Sequence, residues 1–83
     1  MKVTTFKNND EVAFKAEIIR ETDKAILVRV LNVYNGHKDV WFPRSQVSVE
    51  GQHIFTKFWL LAAKARETGA NFCSMSPSVA RAI

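Results

Sequence analysis

The dipeptide Asn35-Gly36 stands between two strand-like runs, residues 25–33 and 37–42. This is the strongest short-range hairpin signal a sequence carries: a type I′ turn needs positive φ at both central residues, and Asn and Gly tolerate that best. A two-residue loop also fixes the register. It sets Tyr34 opposite His37, Asn32 opposite Asp39, Leu31 opposite Val40, Val30 opposite Trp41 and Arg29 opposite Phe42. Opposed residues share a face. One face then carries Ile26, Val28, Val30 and Trp41, and the other Leu27, Leu31, Val33, Val40 and Phe42. Both are apolar, so one is expected to line a small curled sheet and the other to be covered by a helix or a partner.

The flanking segments extend this hairpin. Over residues 12–18 the period is two: Val12, Phe14, Ala16 and Ile18 point one way, Lys15 and Glu17 the other, as in a half-buried strand. Residues 21–24 read as a turn. Pro43 ends regular pairing or places it at an edge. Residues 45–49 can resume as a short strand closed by Glu50-Gly51. From Ile54 the period changes to that of a helix, with Ile54, Phe55, Phe58, Trp59, Leu61, Ala62 and Ala65 on one broad stripe. The spacing predicts a helix over 54–67, with Gly69 at its carboxyl-terminal cap and Phe55, Phe58 and Trp59 in the core. Ser76-Pro77 has the form of a helix start, so the tail is read as loose or as one or two docked turns bearing Val79, Ala80 and Ile83. The predicted class is α+β, a curved antiparallel sheet of three to five strands followed by one helix. Val12, Phe14, Ile26, Leu27, Val28, Val30, Phe42, Phe58 and Leu61 are the expected core. Residues 1–10 form an arm or a short strand over 2–6, residues 11–69 the single domain, and residues 70–83 the tail.

Length and composition exclude several functions. A chain of 83 residues has room for one core. Cys73 is the single cysteine, so a disulfide-stapled scaffold is excluded. Residues 1–10 lack the apolar stretch of a secretory leader, and the apolar run at residues 58–63 is far short of a membrane span. A cytoplasmic protein with no membrane partner is the expectation. His37, His53 and Cys73 have no ligand spacing, so no metal is expected. The three glycines are isolated, which leaves no phosphate-cradling loop and no cofactor. Ser45, His53 and Asp39 lack the context of a nucleophilic triad. The chain reads as a binding protein, not an enzyme.

Two partner classes follow. Net charge is +4 and uneven: residues 1–50 carry eight basic and seven acidic side chains, whereas residues 51–83 carry Lys57, Lys64, Arg66 and Arg81 against Glu67 alone. Trp41, Phe42 and Arg44 lie on one strand, with Arg29 and Lys38 as neighbours in the derived register. Aromatics on a small sheet flanked by cations stack bases and hold phosphates. Weak, salt-dependent nucleic-acid binding is therefore expected through Lys38, Trp41 and Arg44 on the sheet and Lys57, Lys64 and Arg66 on the helix, with Arg29 beside them. The alternative is a protein partner, or a second copy of the chain, on an uncovered sheet face where Trp41 and Tyr34 act as anchors.

The segments Lys24-Ala25-Ile26-Leu27-Val28 and Val40-Trp41-Phe42-Pro43-Arg44-Ser45-Gln46-Val47, followed by Phe58-Trp59-Leu60, resemble a class of very small domains from phages and other mobile elements. The resemblance covers residues 11–67. It implies an SH3- or OB-like curled sheet plus helix in a phage or prophage setting, and hence, for the protein partner, an inhibitor of a host protein such as a component of an anti-phage defence system. Most such domains lack an assigned activity, so no site residue carries over.

Overall fold

The computed structural model describes residues 6–32 and 36–82. These form β1 (Glu11–Lys15), β2 (Glu17–Glu21), β3 (Ala25–Asn32), β4 (Gly36–Pro43), β5 (Val47–Glu50), β6 (His53–Lys57), α1 (Phe58–Thr68) and α2 (Pro77–Ala82). A 3-10 turn, Arg44–Gln46, joins β4 to β5. All pairing is antiparallel, in two three-stranded sheets of order β1-β6-β5 and β2-β3-β4.

The pattern over residues 12–18 reads as one strand; the structure divides it at Ala16 between the two sheets. The ladder from β1 to β6 ends with Lys15 opposite His53, and the Ala16 N–H carries it one step further by donating to the Gln52 carbonyl at 3.2 Å. With Glu17 opposite Arg29 the chain enters the other sheet. In space the order is β5, β6, the divided strand, β3, β4. The α+β class and the sheet-then-helix order hold, and the sheet stays open between β4 and β5. The expected turn is present: the Thr22 N–H donates to the Ala25 carbonyl at 2.8 Å, and the Thr22 hydroxyl accepts from the Ala25 N–H at 3.0 Å.

The β3–β4 hairpin forms, but in another register. Asn32 faces Gly36, Leu31 faces His37, Val30 faces Lys38, Arg29 faces Asp39, Val28 faces Val40, Leu27 faces Trp41 and Ile26 faces Phe42. Three residues, 33–35, separate the strands, not two, and the expected Asn35-Gly36 turn lies partly outside the described residues. Gly36 has a φ of +84° and already pairs within β4. The partner of Val30 moves by three positions, an odd number, and an odd shift exchanges the faces. Val40 and Phe42 therefore join Ile26, Val28 and Val30 in the core, and Trp41 joins Leu27 and Leu31 outside.

The expected helix over 54–67 also needs correction. Its first turn is strand β6, and the helix begins at Phe58. A short apolar run carries no periodicity that separates buried strand from buried helix. Here β6 is the central strand of its sheet, paired on both sides by β1 and β5, with Ile54, Phe55 and Thr56 all buried. The helix starts without a side-chain cap. Its first amides are met instead by main-chain carbonyls, Phe58 N–H to Asp10 at 2.8 Å and Trp59 N–H to Asn8 at 3.1 Å. It ends as expected: Gly69 is left-handed at φ +75° and its N–H donates to the Ala65 carbonyl at 2.8 Å. Trp59, expected in the core, is 44% exposed. Leu60 and Leu61 carry the burial of α1.

The main core lies between the inner sheet faces and α1. Phe14 and Phe42 pack with ring centroids 5.5 Å apart, and Phe72 from the tail stands edge-on to both, at 5.0 and 5.9 Å. Of the expected core, Leu27 and Phe58 are only half-buried. A second, smaller cluster joins Ala13 and Phe55 on the outer face of the β1-β6-β5 sheet to Met75 and Ala80 of the tail. The tail is thus docked through Ala70, Phe72, Met75 and Ala80, whereas Val79, expected to dock with Ala80, is 50% exposed.

Candidate functional site

The two sheets differ in what covers their outer faces. On the β1-β6-β5 sheet, Ala80 of α2 packs with Ala13 and Phe55, and Met75 bridges the free edge of β1 at Ala13. On the β2-β3-β4 sheet no described element does so: α1 packs from the core side, where Leu60 and Leu61 belong to the same core cluster as Val28, Val40 and Phe42. The bare face is built in rows by the register. Arg20, Leu27 and Trp41 form one row, and Glu17, Arg29 and Asp39 the next. Leu31 and His37 form the last. The first row depends on a bulge at Ile19, which shifts the pairing between Ile18 and Arg20 and returns Arg20 to the side of Leu27.

This face presents apolar surface around an internally neutralised centre. Leu31 is 77% exposed and Trp41 42%. Between them Arg29 holds Asp39 through two hydrogen bonds, Nε to Oδ1 at 3.0 Å and Nη2 to Oδ2 at 3.3 Å. That bidentate bond is the leading reason the Asp39 carboxyl titrates below its ordinary range and the Arg29 guanidinium above its own, with Glu17 adding to the latter. Beside Leu31 the face descends into an open groove of about 730 Å³ at the Ala16 break, floored by Ala16 and Ile18 and rimmed by Lys15, Arg29 and His37.

Among the described residues expected to bind a partner, Trp41 and Arg29 lie in adjacent rows of the bare face, and the rest are not brought together with them. Trp41 lies on the bare face. Lys38 does not: it shares the register of Val30 on the inner side, and its ammonium lies beside Gly69 at the carboxyl end of α1, where a cation offsets the helix dipole. Arg44 belongs to the fold. Its side chain donates from Nε to the Thr22 carbonyl at 3.1 Å and from Nη2 to Glu21 at 3.2 Å, fastening the 3-10 turn to the β2–β3 turn. Arg29 is engaged by Asp39. Lys57 and Arg66 are exposed and Lys64 half-buried; none of the three is in an ion pair among the described residues. Tyr34 lies outside the described residues. Ser45, His53 and Asp39 stand on three elements, the 3-10 turn, β6 and β4. No group of three or more His, Cys, Asp or Glu suited to a metal ion occurs among the described residues.

No family model, curated protein or solved structure matches this chain. Glu17, Arg20, Leu27, Leu31, His37 and Asp39 are residues of the face that sequence reasoning did not select as partner contacts. The signal that would have selected Leu27, Leu31 and Asp39 is the parity of the hairpin. With a three-residue connection, Arg29 falls opposite Asp39 and the two neutralise each other, while Leu31 and Trp41 share a side.

Proposed function

We propose that this chain is a non-catalytic binding module that docks a folded protein on the outer face of β2-β3-β4, with Trp41 as the anchor. The supporting observation is the asymmetry of the two sheets: among the described residues the tail covers one outer face and nothing covers the other, with Trp41, Leu27 and Leu31 on that uncovered side. The charges of that face argue for a protein over a polyanion. Arg29 and Arg44 are held by Asp39 and Glu21, Lys38 faces away, and the remaining arginine of the face, Arg20, is balanced in charge by Glu17 on the same strand and face. A half-exposed Trp beside branched aliphatics and a fixed ion pair is the composition of an interface anchor. The resemblance of the two strand motifs to small mobile-element domains supports a host-cell protein as the partner and inhibition as the role.

Weak nucleic-acid binding is the second reading. It rests on Lys57, Lys64 and Arg66, whose charges no described acid pairs. One experiment separates the two: affinity capture from nuclease-treated lysate of the source cell, using the wild type, Trp41→Ala/Leu31→Ala, and a variant with Lys57, Lys64 and Arg66 all changed to Ala. The protein reading expects a stoichiometric partner that survives nuclease, is lost with Trp41→Ala/Leu31→Ala and is retained by the triple variant. Trp41 as an anchor is worth about 2 kcal/mol or more of binding energy. Binding that vanishes with nuclease, falls steeply with salt through counterion release, and depends on the three cations overturns the protein reading. A symmetric dimer disrupted by Trp41→Ala assigns the face to a second copy.

A further inference from the structure

The other sheet carries a site that is filled from within the chain. Arg81 of α2 lays its guanidinium over the Phe55 ring, 4.5 Å from the centroid. The same group donates to both oxygens of Glu50, Nη2 to Oε2 at 2.8 Å and Nε to Oε1 at 3.2 Å, and Nη2 lies 4.0 Å from Glu11. An aromatic face with two carboxylates at its rim is matched to the planar, five-donor fork of arginine and poorly to the point charge of lysine. Beside it Ala13 is fully buried in a cluster with Phe55, Ala80 and Met75. A groove of about 690 Å³, walled by Lys15, Gln52 and His53, runs on past the seated arginine.

What holds α2 there is slight. Among the described residues its charged anchor is the Arg81 guanidinium. Ala80 is its single buried residue, and the connection before it makes one isolated bridge, Met75 with Ala13, of two hydrogen bonds at 2.8 Å. This cluster is separate from the main core, so displacing α2 breaks no contact within that core. Local opening of such satellite units is the ordinary low-energy motion of a small domain.

We infer that the outer face of β1-β6-β5 is a docking site for an arginine-bearing helical segment of a partner protein, and that α2 occupies it as a cis strap the partner must displace. The ligand chemistry is the one Arg81 already satisfies: a guanidinium over Phe55 and against Glu50 and Glu11, next to small side chains that lie on Ala13. The strap sets the threshold. A tethered segment competes at high effective concentration, so free arginine peptides bind the intact chain poorly. A partner must supply contacts beyond those of α2, and the groove beyond Arg81 has the space for them. This inference is independent of the Trp41 face, and Trp41→Ala leaves it unchanged.

The test uses the full chain, wild type and Arg81→Ala, titrated by NMR with a peptide of residues 74–82 and with the same peptide carrying Arg81→Ala. Protected amides in β3 and β4 establish that the variant is folded. The expected result is a set of shifts at Ala13, Glu50 and Phe55 of the Arg81→Ala protein, saturating with the native peptide and absent with the substituted one. Against the wild type the apparent affinity is weaker by about tenfold or more, the factor by which a site open a tenth of the time or less is masked. Arg81→Lys, which keeps the charge and loses the fork, gives an intermediate value. No shifts in the Arg81→Ala protein, or equal shifts with both peptides, overturn the site. Equal affinity for wild type and variant overturns the strap.

Discussion

Trp41 and Phe42 are neighbours in the chain and opposites in environment. Phe42 is wholly buried between Phe14 and Phe72, whereas Trp41 stands half in solvent over Leu27. Alternation along β4 separates them, and the two residues therefore answer different measurements. In urea unfolding, Phe42→Ala should cost about 3–5 kcal/mol through lost burial and the cavity left behind, enough to unfold much of the population of so small a domain. Trp41→Ala should change stability by less than about 1 kcal/mol, as surface substitutions do, and be felt in partner binding. Equal losses of stability at both positions would show that Trp41 is a packing residue. Gly69 poses a conformational question. A methyl group there meets only the Lys38 ammonium, at an ordinary 3.8 Å, so space is not limiting. The left-handed φ of +75° is, and Gly69→Ala should lower stability by about 1–2 kcal/mol while leaving β3 and β4 unperturbed in an NMR spectrum.

At the scale of elements, what was legible in the sequence followed from local chemistry, and what was missed depended on neighbours distant in the chain. The β3–β4 hairpin, the turn before Ala25 and the Gly69 cap are each determined by residues within a few positions, and each is present. The hairpin register is not local in that sense: Asn-Gly favours a two-residue loop, but burying Phe42 and Val40 against Phe14 and Ile26 is a tertiary gain that a loop one residue longer makes available. Likewise nothing within residues 53–57 distinguishes strand from helix; β1 and β5 on either side decide it. The Arg81, Phe55 and Glu50 site joins residues up to 31 positions apart, and no motif announces it. Thr56 shows how β6 is held. It is the one buried polar side chain among the described residues, and its hydroxyl donates to the Gln46 carbonyl at 2.8 Å, tying the central strand to the 3-10 turn. Thr56→Val keeps the shape and removes that bond, so chemical denaturation should register a loss of about 0.5–1.5 kcal/mol. No loss would mean that solvent already satisfies the Gln46 carbonyl and that the turn is held by Arg44 alone.

The whole molecule carries one carboxylate on each outer sheet face whose proton affinity an arginine lowers, Asp39 by Arg29 and Glu50 by Arg81. A carboxyl that titrates lower in the folded chain than in the unfolded one contributes stability above its unfolded value, and that contribution is lost as pH falls through the lower, folded value. Thermal midpoints should therefore be level from neutral pH down to about 5, then decline as pH passes below the ordinary carboxylate range near 4. The two halves of this decline are separable, because the pairs sit on different sheets. Glu50→Gln should remove the acid response of the strap, read as hydrogen exchange at the Met75 and Ala13 amides, and leave that of β3 and β4. Asp39→Asn should do the reverse. Around Arg81 the other titratable groups, Glu11, Lys15 and His53, belong to β1 and β6 and remain in both variants. Both pairs are exposed, so 1 M salt should screen them and flatten the same profile. If exchange at Met75 and Ala13 instead keeps pace with β3 and β4 at every pH and in both variants, the chain opens only as a single unit. The tail is then a fixed part of the core and not a strap.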